Sequence, residues 1–430
     1  MCGKICGLTL DEMGTVPFIN WNRPHSAAII SRFAVDSLDN GGLVRLILGL
    51  GALIAFVLSC GAVLAAPVIS SVSGNYAEGG TITIQGAAFG SGPNLVLFDN
   101  FEGGATGAPI RTGAGSATVG AWSFKTGTVY YTDTHSVSGA QAFQADHAIP
   151  GNHYSAVNFT PDTQAFLSWW FYLPAGDKWP GENHQDGINW KIVWIMGACN
   201  YIEDRVLPVV LGSGATLTGN GLACDWCPDW PPQDYSNPID DSWTDLDVQK
   251  GRWMRVWTWL KGGYQNDGAI QYWELTSSGV GLRVDRSNFN TLYPPGTMRP
   301  SGICGANSPA TALYQTVYMN AYGRSTPPSH PTFDDFYLAT GPNARARVEI
   351  GNQPTYNAST KLAILTASSW SSTSITAVMR QGIFRPGDTA YLFVFDAAGN
   401  VSAASQAITI GGTGSGDSLP PDAPENLRVS

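Results

Sequence analysis

The sequence predicts an all-β fold in which one small sandwich is split by a larger inserted one. Three observations carry this. First, Gly79–Gly90 reads GGTITIQGAAFG. Ile82 and Ile84 alternate with Thr81 and Thr83, the period of a half-buried strand, between glycines that supply turn conformations. Second, the strands that would complete this sandwich resume only near Arg345. Roughly 240 residues lie between, far beyond an ordinary loop, so they are expected to fold on their own. Third, the chain is rich in turn and β-forming residues. It has 50 glycines, 43% hydrophobic residues and 13% charged residues, the last about half the usual ~25%.

The 430 residues suffice for two or three domains. The net charge is −10. An acidic chain without a basic stripe argues against a nucleic-acid partner.

In chain order, residues 1–42 carry no strong periodicity and are read as a doubtful N-terminal extension, with translation starting near Leu43 or Val44. Residues 43–65 open the one long apolar run, Leu43–Ala66, with a lone Arg45 and small residues at its end. That is the layout of a secretory signal, with cleavage after Ala65. Two alternatives stay open: a lipoprotein signal on Val57-Leu58-Ser59-Cys60, and a retained anchor, since ~20 apolar residues can span a bilayer. Any membrane contact is expected through this segment alone, and the address is secreted or cell-surface.

Export implies disulfide chemistry for the cysteines beyond the signal, Cys199, Cys224, Cys227 and Cys304. Four cysteines allow three connectivities, all open. The lone Cys224–Cys227 CxxC, with no second pair, reads as part of a stapled loop rather than a zinc or redox site. The acidic, proline-rich stretch Asp225–Asp247 is expected to be a long surface loop that either walls a groove or is mere decoration.

Within residues 99–341, Phe166–Leu173, Asn189–Met196, Arg252–Lys261, Ile270–Leu275, Tyr314–Tyr322 and Phe333–Ala339 read as strands, several with large residues on both faces. Asn266-Asp267-Gly268 is a hairpin signal. Aromatic strands of this kind suit a curved two-sheet jelly roll. The chain closes with apolar strands around Trp370 and Tyr391–Phe395, a turn at Asp396–Asn400, a flexible Gly-rich linker at 412–419, and the segment 420–430.

Three resemblances follow from these residues. Residues 66–98 and 342–411 together resemble an immunoglobulin-like sandwich of the IPT/TIG family, through Pro67, Ile69, Val72, Gly80, Ile82, Ile84, Gly86, Phe89 and Gly90, then Trp370, Ser371, Thr373 and Ile375. Residues 99–341 resemble the concanavalin A-like jelly rolls of polysaccharide lyases, some glycosidases and laminin-G-type modules, through Asp99, Phe101, Glu102, Trp169, Lys191, Trp253, Arg255, Asp267, Gly268, Trp273, Asp334 and Asp335. Pro420–Ser430 resembles the first strand of a fibronectin type III domain. The resemblance implies that IPT and fibronectin-like modules act as spacers or adhesion units.

Candidate chemistry falls in three groups. Arg255, Trp257 and Trp259 share one strand face, and Tyr318, Asn320 and Tyr322 share another. With Lys191 they form a candidate glycan surface, aromatic rings stacking on sugars and polar groups bonding hydroxyls or carboxylates; packing in a core is the alternative for each. The paired carboxylates of a retaining glycosidase are not found, Glu203 and Glu274 standing alone. A lyase needs a base and a carboxylate holder, which Lys191, Arg255, Tyr318 and Tyr322, with His153 or His184, could supply. The jelly-roll resemblance further implies a structural calcium as candidate cofactor on Asp99, Glu102, Asp334 and Asp335, whose oxygens suit that ion. The reading is an exported, non-catalytic polysaccharide binder. A polysaccharide lyase or glycoside hydrolase and a protein-binding structural adhesin are the alternatives.

Overall fold

The computed structural model describes residues 65–147, 152–178, 191–197, 204–209, 219–224, 250–263, 265–289, 314–322, 329–405 and 407–415. The strands are β1 (Val68–Asn75), β2 (Thr81–Ala87), β3 (Asn94–Asp99), β4 (Phe124–Thr126), β5 (Val129–Thr132), β6 (Ala142–Ala145), β7 (Tyr154–Asp162) and β8 (Gln164–Tyr172). They continue with β9 (Lys191–Gly197), β10 (Asp204–Val209), β11 (Gly219–Cys224), β12 (Trp253–Lys261), β13 (Gly268–Thr276), β14 (Gly279–Phe289), β15 (Tyr314–Tyr322) and β16 (Thr332–Thr340). The last are β17 (Arg347–Gly351), β18 (Leu362–Trp370), β19 (Ser374–Val378), β20 (Thr389–Phe395), β21 (Ile408–Thr409) and β22 (Thr413–Ser415).

The strand anticipated at Thr81–Gln85 pairs along its length with β19, Ile84 opposite Ile375 and Ile82 opposite Ala377. Strands from both ends of the described chain thus share one hydrogen-bonded system, β21-β20-β17-β18-β19-β2-β1-β22. β18 joins its halves: Leu362–Leu365 pairs with β17, and beyond a register shift Ser369 and Trp370 pair with β19. Between them lies a core of Ile82, Ile84, Phe89, Val348, Ile350, Leu365, Ile375, Leu392 and Val394. Thr413–Ser415, read as linker, instead pairs with Ser73–Asn75 at the sheet edge.

β3 leaves this system and pairs with β16, so the chain crosses between sheets just before Asn94, a little ahead of the expected Phe98. β3 belongs to a sheet ordered β14-β13-β12-β8-β16-β6-β5. We call it the inner sheet. β12 and β13 form the expected hairpin, with Asn266 at φ +56° in the turn. A second sheet, β4-β7-β15-β9, packs across it; we call it the outer sheet. Trp122, Phe143, Trp169, Phe171, Ile195, Val317, Met319 and Phe336 fill the space between the two.

The period-two side-chain alternation explains why so many strands carry large residues on both faces. In β8, Leu167, Trp169 and Phe171 enter the core beneath the outer sheet, while Phe166 faces the opposite way. β17, β18 and β20 do the same from the other side. Their Val348, Leu365 and Val394 point into the small sandwich, and their Leu362, Ile364, Phe393 and Phe395 meet Phe98, Phe166, Trp257 and Tyr337 of the inner sheet. The inner sheet is therefore covered on both faces.

A charged cluster sits inside this junction. Glu349 of β17 is fully buried. It accepts hydrogen bonds from Arg255 Nη1 of β12 at 2.8 Å, from Arg347 Nε at 2.5 Å and from the Tyr356 hydroxyl at 3.1 Å. Arg255 also donates from Nε to Ser168 Oγ at 3.2 Å, and the Arg347 guanidinium lies 3.5 Å from the Phe395 ring centroid. Burial alone pushes the Glu349 carboxyl up, but Arg255 and Arg347 outweigh it and hold it below its ordinary value.

The four carboxylates considered for calcium each accept hydrogen bonds from neighbouring loop or side-chain donors. Asp99 is buried and accepts from the Phe101 amide at 3.0 Å and Trp122 Nε1 at 2.7 Å. Asp334 accepts from the amides of Val137, Ser138 and Asp335 at 2.7, 3.1 and 2.8 Å. Asp335, at φ +45°, accepts from Ser138 Oγ at 2.8 Å. Glu102 accepts from the amides of Ala140 and Gln141 at 2.8 and 2.7 Å. Burial pushes Asp99 up to about 6. It raises Asp334 as well, helped by the adjacent Asp335 charge, and it raises Asp335.

Two outcomes follow. Truncating Glu349→Ala leaves two buried guanidinium groups without their carboxylate and is expected to cost about 3–5 kcal/mol, read from equilibrium urea unfolding at neutral pH; a loss below about 1 kcal/mol would contradict it. Asp99 is easier to protonate folded than unfolded, where its value is the ordinary 3.8. Its contribution is therefore present below about pH 4 and is lost as pH rises through about 6. Urea unfolding across this range should show wild-type stability falling relative to Asp99→Asn, by on the order of 1–3 kcal/mol.

Candidate functional site on the outer sheet

The outer face of the inner sheet is closed by the small sandwich, whereas no hydrophobic cluster of the described residues forms on the outer side of the outer sheet. There the register lines up one row across four strands: Phe124 of β4, Ala156 of β7, Tyr318 of β15 and Trp194 of β9 are successive cross-strand partners. Val317 and Met319 point into the core, so Tyr318 points away from it. Ala156, the small residue between Phe124 and Tyr318 in this row, is fully covered.

Tyr318 is ringed by three aromatics. Tyr154, Phe124 and Trp194 lie 5.1, 5.8 and 6.1 Å away between centroids, at 83°, 81° and 86°. These are edge-to-face contacts, each worth about 0.5–1.5 kcal/mol beyond area burial. All four side chains are partly exposed. Alongside, Thr316 Oγ1 donates to Asn158 Oδ1 at 2.8 Å.

Two residues on, Asn320 has φ +59° and sits where the pairing of β15 with β9 breaks, between Met319 and Tyr322. Bulges of this kind re-aim side chains, often beside active sites, and asparagine tolerates the left-handed region better than most residues. Asn320 is fully buried. Its Nδ2 donates to the His153 carbonyl and lies 3.0 Å from His147 Nε2. With Nδ2 as donor, His147 Nε2 accepts. The two imidazoles meet edge-on at 4.9 Å, and His153 Nδ1 accepts from the Thr128 amide at 2.8 Å. Gly127, at φ +68°, permits this approach, since a Cβ there would come within 2.5 Å of His153 Nδ1. The His147 amide donates to the Ser329 carbonyl, and the adjacent His330 Nδ1 is 2.9 Å from Asp177 Oδ2.

The structure divides the residues expected to line one groove. Tyr318 and Asn320 belong to the outer sheet. Lys191 and Tyr322 are placed there by backbone register, opposite one another. Arg255, Trp257 and Trp259 do share a face, but it is the face of the inner sheet turned toward the small sandwich. Arg255 is 1% exposed and paired with Glu349. Trp257 is fully buried and stacks on Trp273 at 6.3 Å, and Trp259 lies under the Arg345 guanidinium at 4.4 Å. These three therefore serve the junction.

Asp99, Glu102, Asp334 and Asp335 are engaged with amide, indole and hydroxyl donors, and the described residues contain no group of three or more His, Cys, Asp or Glu arranged for a metal. Cys199, Cys227, Cys304, His184, the loop Asp225–Asp247, the N-terminal segments and Pro420–Ser430 lie outside the described residues; Cys224 is placed only by its backbone, ending β11 opposite Asp204. Phe124, Tyr154, Trp194 and His147 were not singled out from the sequence. The one available signal was the alternation in Lys191–Gly197, which separates Trp194 from Val193 and Ile195.

No family model matches the chain, and no curated protein matches it. Solved structures similar to it include an endo-β-1,4-glucuronan lyase from the fungus Trichoderma reesei, at 13% identity and TM-score 0.30, covering 51% of this chain and 91% of that one. The alginate lyase Aly36B matches at 14% identity and TM-score 0.35, covering 58% and 97%. The botulinum neurotoxin serotype G binding domain matches at 12% identity and TM-score 0.27, covering 70% and 73%. At such TM-scores these likenesses carry no functional weight, and the chemistry of the chain's own outer sheet must bear it.

Proposed function

We propose that the outer sheet binds an acidic polysaccharide and that the chain cleaves it by β-elimination. One observation carries this: a tyrosine hydroxyl at the centre of a partly exposed aromatic face, two residues from an asparagine braced by two histidines. Phe124, Tyr154 and Trp194 offer apolar surface for sugar rings, and Tyr318 offers a proton-transfer group among them. In the reaction a base takes the proton on the carbon next to the uronate carboxylate. The electron pair forms a ring double bond, the glycosidic C–O bond on the next carbon breaks, and the leaving oxygen takes a proton. No water is consumed. Tyr318 is assigned to proton transfer, and His147 and His153 hold the bulge at Asn320 that positions it.

Hydrolysis fits this face less well, because it requires two carboxylates about 5–9.5 Å apart, and the row from Phe124 to Trp194 carries none. The other reading we keep is binding without cleavage, for which the four rings alone suffice. In either case the small sandwich would act as an IPT/TIG-like spacer on an exported protein.

Incubation with alginate, glucuronan and pectin is expected to raise the ultraviolet absorbance of unsaturated uronates. Tyr318→Phe should lower the rate about 10²–10⁴-fold with little change in binding, and Trp194→Ala should weaken binding. Binding without absorbance gain in the wild type would select the non-catalytic reading. No binding to any polymer on a glycan array would sink both.

A further inference from the structure

A second site lies on the opposite side of the inner sheet. Where β12–β14 meet the small sandwich there is a cavity of about 210 Å³, lined among others by Trp257, Trp273, Leu282, Arg345, Arg347 and Phe395. It is smaller than the ~300–1,000 Å³ usual for drug-sized ligands, so it suits one ring rather than a polymer segment. Trp257 and Trp273 are nearly parallel, 10° apart, and Leu282 is 47% exposed.

Among its lining residues are two guanidinium groups, Arg345 and Arg347, and no carboxylate. Arg255 and Arg347 share the single carboxylate of Glu349, and Arg347 is itself only 4% exposed. Arg345 is held between the Trp259 ring, at 4.4 Å, and Gly399, where a Cβ would collide with its guanidinium. The carboxylates of Asp396 and Asp285 push the Arg345 pKa up. Both oxygens of Asp396 accept from Asn400, each at 2.9 Å, and Asp285 Oδ1 accepts from Gln271 Nε2 at 2.9 Å. Arg345 has no ion pair among the described residues. Burial, then the neighbouring Arg347 charge, pull it down to about 10. A desolvated cation favours an anion that can enter beside it.

We infer that this junction cavity binds a single carboxylated ring, its carboxylate on Arg345 and its apolar face toward Trp273. The carboxylate and ring chemistry rest on the cavity. The choice of a uronate as that ring rests on the function proposed above. Both protein layers line the cavity, so the ligand would bridge them and stabilise the junction.

The test is calorimetric titration of the full chain with D-glucuronate, with D-glucose and acetate as controls. Binding of glucuronate alone is expected. Arg345→Gln should weaken it at least tenfold, and Leu282→Trp, which crowds the cavity without touching a charge, should weaken it independently. Arg345→Gln and Leu282→Trp should leave polymer binding and the absorbance gain on the outer sheet unchanged, so failure of the proposed function and failure of this site are separable. Absence of glucuronate binding, equal binding of glucose or acetate, or full retention in both cavity variants would overturn the inference.

Discussion

The fully buried carboxylate of Glu349 between Arg255 and Arg347 is the constraint on which the rest of the arrangement depends. Removing three charges from water is costly, and the cost is offset only while every partner is in place. Arg255 comes from the insert, and Glu349 and Arg347 from the small sandwich. Neither layer can therefore shift by much without stranding a charge in an apolar junction of Phe166, Trp257, Tyr337, Phe393 and Phe395. The hydrophobic contacts supply attraction but little direction, whereas the hydrogen-bonded ions fix relative position. This junction also closes one face of the inner sheet, whereas no hydrophobic cluster of the described residues forms on the outer side of the outer sheet.

Much of the fold was legible because alternation is a local signal. Ile82 and Ile84 announce a strand with one buried face, and they do pair with Ala377 and Ile375 from the far end of the chain. The double-sided strands were equally plain, since Phe166–Leu173 has no polar face and can only lie between two cores. Thr413–Ser415 shows the limit. A Gly-rich stretch has no side-chain pattern to betray that its backbone completes an edge beside β1. β14 was overlooked for a related reason: its partner β13 is bulged against it twice, and Gly279 and Gly281 blur its alternation.

The candidate site was legible only in part, and the division is physical. Parity places Arg255, Trp257 and Trp259 on one face correctly, but parity is silent about what covers that face. An aromatic, cationic strand face is suited both to a sugar and to a buried junction with a carboxylate, and Glu349 lies 94 residues away in sequence. Tyr318 and Asn320 were found because they sit in a strand that could be read. Phe124 and Trp194 join them only through the register of four strands, and Ala156 gives no hint in isolation that it lies between Phe124 and Tyr318.

Asn320 ties these threads together. A non-glycine residue at positive φ inside a strand costs roughly 1–3 kcal/mol and persists only where its surroundings insist on it. Here they do so through His147, the His153 carbonyl and a broken ladder. A sheet built only to be stable would run straight through Met319 to Tyr322, as β15 does from Thr316 to Met319. The bulge sits two residues from Tyr318 of the aromatic row. The junction cluster fixes the frame in which such a distortion is held, and under the proposed function the distortion positions Tyr318. The buried ions behind the inner sheet and the strained asparagine before it are thus two ends of one argument: the first fixes the frame, and the second is affordable only within it.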